Sequence, residues 1–287
     1  MGKLAVGERA QWGVDGPPSP GTHIFLPTNG SVSARFAEAY VRALPWPAPV
    51  QVTAMMVIDV PGPPFTSLLP SARRRYAAAL AALRQEARAQ AWEVVAEARR
   101  LLAPHVGSVA TRVQEGRPGP VAVEVARACR ADLVAIGSGR PRARPHMLAE
   151  RVAVHVARHA HCSVLVARGV PDEPQRLLLA LDGSADAERA LRWLADLRLS
   201  GEAWIHVVAV DGVGEACSWL AASGARVTAT VRRGQAAGEI LAAARVCAPH
   251  LLVVGARGER AAPDTGLSDL ARRLVARAPC SVLVVRA

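Results

Sequence analysis

The feature that most constrains this chain is that a long stretch of it is written twice, 118 residues apart. Gly116, Ala126, Arg127, Cys129, Leu133, Gly137 and Ala160 return as Gly234, Ala244, Arg245, Cys247, Leu251, Gly255 and Ala278. The run Cys162-Ser163-Val164-Leu165-Val166-x-Arg168 returns as Cys280-Ser281-Val282-Leu283-Val284-x-Arg286. Nearer the start, Asn29-Gly30-Ser31 matches Asp182-Gly183-Ser184 at an offset of 153 instead, so the second copy has lost about 35 residues in between. Whatever one copy folds into, the other must fold into as well, less one element.

Apolar runs of strand length recur through the first copy at Ile24–Leu26, Val50–Val60, Val109–Val113, Leu133–Ile136 and Val164–Val166. In the second they lie at Leu177–Leu181, Trp204–Val210, Val227–Val231, Leu251–Val254 and Val282–Val285. Helical patterns alternate with them: one after the capping residue Ser31, one over Ser71–Ala103, one near Pro120–Cys129 and one over Met147–His159. In the long second helix Tyr76, Leu80, Leu83, Ala87, Val94, Ala98 and Leu101 form a stripe expected to face the core. The second copy has room there only for a short helix near Glu215–Ala222, so the long helix is the deleted element.

Strands apolar on both faces and alternating with helices imply parallel sheets covered on both sides. The expected fold is therefore α/β, with two tandem doubly wound domains, each built on a five-stranded parallel sheet. The expected boundaries are a tail at 1–22, domain one at 23–168, a polar linker at 169–175 and domain two at 176–287.

Composition narrows the function. Hydrophobic residues at 51% and charged residues at 21% are ordinary for a folded globular chain. No apolar run is long enough to span a membrane and no signal-peptide pattern opens the sequence, so a cytoplasmic location without membrane attachment is expected. The net charge of +11 raises nucleic acid as a partner, but Lys3 is the only lysine among 35 basic residues, which points to a compositional bias. Aromatic residues at 4% are too sparse for a base-stacking surface, which argues against nucleic acid. Five cysteines with no Cys-x-x-Cys give neither a disulfide framework nor a zinc site.

The second copy carries Leu178-Leu179-Ala180-Leu181-Asp182-Gly183-Ser184, then His250 to Gly258, then Ala278-Pro279-Cys280-Ser281-Val282-Leu283-Val284-Val285-Arg286. In that order these motifs, with the repeat, resemble those of the universal stress protein family in its tandem two-domain, Rossmann-like form. Nucleotide-binding members carry Gly-x2-Gly-x9-Gly-[Ser/Thr] after the fourth strand, where small residues let backbone N–H groups approach phosphates at a helix N-terminus. The second copy reads Gly255-x2-Gly258, nine residues, then Ser268-Asp269. The resemblance thus implies a nucleotide site in domain two formed by Ala180, Leu181, Asp182, Gly255, Arg257, Gly258, Ser268, Asp269 and Leu270, for ATP or AMP if any nucleotide binds. Ser268 and Asp269 depart from the signature, and a carboxylate beside a phosphate is unfavourable unless a metal bridges them. In domain one Asn29 replaces the Asp, Arg140 the second Gly, and Glu150-Arg151 the final pair, so binding in the family's manner is not expected there.

The resemblance implies a non-catalytic protein of stress adaptation or signalling acting through protein contacts, gated or not by a nucleotide; the alternative is a slow ATP hydrolase. No Ser, Cys or His arrangement supplies a catalytic nucleophile: Ser31 and Ser184 read as helix caps, and Cys129, Cys162, Cys247 and Cys280 as small buried residues. The cluster Arg140, Arg142 and Arg144 is open to reading as an anion site or a solvated loop. His155 and His159 have zinc-pair spacing but no acidic partner, so no metal is expected. Family members pair through their last strands, so a homodimer, or an intramolecular pseudo-dimer with the strand after Cys162 antiparallel to the strand after Cys280, is expected. Loss of the long helix should bare one sheet face of domain two near Trp204 and Trp219, to be covered by a second chain, domain one or the tail.

Overall fold

A computed structural model describes residues 22–59, 70–139, 147–170, 176–209, 216–221, 224–232, 235–258 and 266–286. Five strands and four helices alternate in the N-terminal half: β1 (His23–Pro27), α1 (Val32–Ala43), β2 (Gln51–Ile58), α2 (Pro70–Leu102), β3 (Ser108–Glu115), α3 (Pro118–Ala128), β4 (Leu133–Gly137), α4 (Met147–His159) and β5 (Ser163–Ala167). The C-terminal half repeats them as β6 (Arg176–Leu181), α5 (Ala185–Asp196), β7 (Trp204–Ala209), α6 (Ala216–Ala221), β8 (Arg226–Val231), α7 (Ala236–Cys247), β9 (Leu251–Gly255), α8 (Asp269–Arg277) and β10 (Ser281–Val285). Ser31 and Ser184 cap α1 and α5 as expected, their side chains accepting from the N–H of Ala34 and Ala187. The expected tail and linker lie almost wholly outside the described residues, as does the Arg140, Arg142 and Arg144 cluster.

The strands form one ten-stranded sheet in the order β3-β2-β1-β4-β5-β10-β9-β6-β7-β8. Each half is parallel, and the halves join where β5 runs antiparallel to β10, with Leu283 opposite Leu165. The pairing of last strands is therefore internal, and it hides the edges that two short apolar strands would otherwise expose. One core lies on each face. Val134, Val164, Val254 and Val282 meet α3, α4, α7 and α8 on one side, while Leu133, Leu165, Val253 and Leu283 meet α1, α2 and α5 on the other.

The junction repeats its polar contacts about a pseudo-twofold. The Arg168 guanidinium, buried past the end of β5, donates to the carbonyls of Val275, Ala278 and Cys280 at the C-terminal end of α8. Arg286, past β10, donates in turn to Ala157, Arg158 and Cys162 at the end of α4. A cation at a helix C-terminus satisfies carbonyls that lack an intrahelical partner and complements the dipole. Ser281 and Ser163 add matched bonds from Arg168 N and Arg286 N. On the opposite face, the Tyr40 hydroxyl on α1 donates to the His250 carbonyl, and Trp46 meets Trp193 edge to face at 6.2 Å.

Three expectations need correction. In α2 the fully buried residues are Ala91, Val95, Ala98 and Leu102, whereas Leu83 is 61% exposed, because the helix overruns the sheet and its N-terminal half finds no core. Cys162 and Cys280 are buried, with burial pushing their thiols up to about 12 and about 11, but Cys129 and Cys247 are only half-buried. Trp204 lies on the other face of the sheet from the missing helix. It shares its side of β7 with Val208, which packs toward α7, and its ring stacks on His206.

Candidate functional site

At the C-terminal ends of β6 and β9 two helix N-termini converge, because β9 lies beside β6 and the following turns point the same way. The Asp182 Oδ1 accepts from the backbone N–H and the hydroxyl of Ser184 at 3.2 and 2.6 Å, a turn that fixes the entry to α5. A Cβ placed on Gly258 would sit 3.4 Å from Asp182 Oδ2 and 3.9 Å from the Ser268 Cβ. The sequence-selected Asp182, Gly258 and Ser268 therefore come together, and Gly258 leaves the small space between them open.

Gly255 has a different reason to be glycine. A Cβ there would lie 2.7 Å from Ala187 N and from Asp186 C, so the end of β9 packs directly on the first turn of α5. Gly137 stands the same way against Ser33 and Ala34 in the first half, where its Cβ would fall 1.8 Å from the Ser33 carbonyl oxygen. Both glycines serve close packing of strand on helix.

Ser268 is the N-cap of α8. Its Oγ accepts from Ala271 N at 3.1 Å and its N–H donates to the Ala256 carbonyl. Asp269 opens the helix, is exposed, and pairs with Arg272 and with Arg273, whose Nε lies 2.6 Å from Oδ2. The Arg272 hydrogen bond, with Arg273, holds the Asp269 carboxyl below its ordinary range. Its charge thus faces two guanidinium groups and the favourable end of the helix dipole. Of the remaining selected residues, Leu181 ends β6 half-buried, whereas Ala180 and Leu270 belong to the core beneath the site.

Asp186 is the polar residue that sequence reasoning missed. Its side chain, 2% exposed on the first turn of α5, accepts from the backbone N–H of Arg257 at 3.1 Å, from Arg257 Nε at 3.0 Å and from Arg257 Nη2 at 3.2 Å. Arg189 adds a bond at 2.9 Å. Burial pushes this carboxyl up, but the bonds from Arg257, then Arg189, outweigh burial and hold it below its ordinary range. Asp186 therefore ties the start of the β9–α8 connection to α5. The acidic first turn of α5 was the sequence signal, but it does not name a partner 71 residues away.

The first half differs at the matching place. Asn29 Oδ1 accepts only from Ser31 N among the described contacts, and a Cβ on Gly30 would meet the Val94 side chain of α2 at 3.2 Å. Gly183, its counterpart, has nothing within 4 Å. Glu150 and Arg151 lie inside α4, which starts about one turn earlier than α8 does. The His155 and His159 rings lie 4.3 Å apart, tilted by 31°, and no group of three or more His, Cys, Asp or Glu gathers around a metal position among the described residues. No described helix is long and apolar enough to cross a membrane.

A universal stress protein from Archaeoglobus fulgidus superposes with a TM-score of 0.65 at 18% identity, over 92% of this chain and 98% of that one. A protein of unknown function from Pseudomonas aeruginosa gives a TM-score of 0.50 at 15% identity, over 93% and 92%. These likenesses concern the fold. No curated protein matches the sequence. The family model described as "Universal stress protein family" matches residues 22–168 and 214–286, the first copy of the repeat and the C-terminal part of the second, and the chain belongs to that family.

Proposed function

We propose that this chain is a non-catalytic tandem universal stress protein that acts through protein contacts in stress adaptation or signalling, with an adenine nucleotide, ATP or AMP, held by its second domain (176–287) alone. The observation that carries the reading is the meeting of Asp182, Gly258 and the Ser268 cap at the converging N-termini of α5 and α8. Such a place offers N–H groups and a positive dipole end to an anion. The asymmetry between the halves supports domain two over domain one: Asp182 is kept where Asn29 stands in the first half, and Gly183 is open where Gly30 lies under Val94.

The carboxylates support a binding role over hydrolysis. Asp182 is engaged by Ser184, Asp186 by Arg257 and Arg189, and Asp269 by Arg272 and Arg273, so each has a structural partner. The test is titration calorimetry of the full chain with ATP and with AMP, together with a phosphate-release assay. Stoichiometric binding that Asp182→Ala removes, without turnover, is the expected result. Steady phosphate release would replace the reading with the hydrolase, and no heat with either nucleotide would leave a pure interaction module.

A further inference from the structure

The two halves differ most in α2, and the difference has two complementary consequences. In the first half, the 33-residue α2 is about 50 Å long, while the eight-residue strand beside it spans about 26 Å. Its C-terminal part is anchored on β2 and β3 through Ala91, Val95, Ala98 and Leu102. From Ala77 to Gln90 the helix is exposed, with only Leu80 and Ala87 half-covered. Within that part Ala77 to Leu83 is seven apolar residues in succession. A helix that is apolar all round is normally a buried helix.

In the second half the β7 side of the corresponding seat is filled, with Ile205, Val207 and Ala209 fully buried, and the β8 side is not. At the repeat offset, Val109, Thr111 and Val113 of β3 correspond to Val227, Ala229 and Val231 of β8. The first three are all partly covered beneath α2, whereas in β8 only Val227 is, next to α6 with its buried Leu220. Ala229 is exposed and Val231 is 51% exposed. The six-residue α6 thus covers the N-terminal end of β8 and leaves the C-terminal end bare, and its own Trp219 is exposed.

The chain cannot bring these two surfaces together by itself. β3 and β8 are the opposite ends of the ten-stranded sheet, nine strand spacings or about 43 Å apart. Residues 91–102 fix α2 at the β3 end. We propose that the apolar run Ala77–Leu83 near the start of α2, which lies before the Arg84 that pairs with Glu115 at the end of β3, docks on the bare C-terminal end of β8 in a second copy of this chain, covering from outside what α6 leaves open. The exchange is reciprocal in a dimer, since each copy carries one projecting helix and one seat.

The test is the association state of the full chain by sedimentation at micromolar concentration, for wild type, Leu83→Glu and Val231→Glu. Both side chains are exposed, so both variants should keep the wild-type circular dichroism and melting curve. Wild type should be a dimer, and each variant should associate at least tenfold more weakly. Mixing the two variants should restore part of the dimer, because the intact helix of one fits the intact seat of the other. A monomeric wild type overturns the proposal. So does a Val231→Glu protein that stays dimeric while Leu83→Glu dissociates, which would mean that α2 meets another α2, and so does a mixture that recovers nothing.

Discussion

Replacing Asp186 by Asn tests whether one buried carboxylate fastens the candidate site to α5. Asn keeps the shape and can still accept from Arg257 N, but it loses the charge that two guanidinium groups share. A hydrogen bond to a charged group contributes roughly 1.5–3 kcal/mol. Arg257 is 32% exposed and Arg189 more so, so both cations can rehydrate and the Arg189 contribution is discounted heavily. The expected loss is about 2 kcal/mol, which for a chain of this size lowers Tm by about 4–8 °C. The pH dependence has a definite sign. A carboxyl whose folded pKa is depressed contributes stability that is fully present above its unfolded value of about 3.9 and is lost as pH falls through the folded value. Urea unfolding of both proteins should therefore show a constant gap from about pH 7 to 5 that narrows below about pH 4. A gap that persists unchanged into acid, or no gap at neutral pH, would refute the argument that Asp186 is ionised, paired and structurally necessary.

The two glycines should separate cleanly: Gly255→Ala drives a Cβ into backbone 2.7 Å away and should cost about 3 kcal/mol in chemical denaturation, while Gly258→Ala meets only ordinary contacts, should change stability by less than about 0.5 kcal/mol, and should weaken nucleotide binding in calorimetry. Leu283→Pro removes a ladder N–H at the β5–β10 junction and should cost about 3 kcal/mol, with a larger radius of gyration by X-ray scattering as the halves separate. Arg168→Ala leaves buried carbonyls unpaired and should cost about 2 kcal/mol by denaturation, more than Arg286→Ala, whose carbonyls lie nearer solvent. Ser268→Gly with Asp269→Ser should tighten ATP binding roughly fivefold or more, since it removes a negative charge and releases Arg272 and Arg273 beside the helix N-terminus; adding Asp182→Ala should abolish the gain.

The sheet was readable because the two copies had to agree. An apolar run matched at a fixed offset is a strand twice over, and the unequal offsets locate the lost helix. What failed was legible only through contacts. Ala77 to Gln90 has the composition of a packed helix, and nothing local says that its strands end before it does. Trp204 lies on the other side from the missing helix because nearness in sequence is not sidedness: along a strand, residues two apart share a face, and Val208 lies on the α7 side.

The candidate site shows why a glycine signature mixes two kinds of information. Gly137 and Gly255 are present in both halves, and both lie against the first turn of the helix that follows the first strand of their half. That requirement belongs to the fold, so it survives in a half that has lost the Asp and the rest of the signature. Gly258 makes no such contact, and its counterpart is Arg140. It is the glycine that folding could spare, yet it stands only where Asp182 also stands. The pair Asp182 and Gly258, present together in one half and absent together from the other, is therefore what the proposed nucleotide site rests on, and the shared glycine is not.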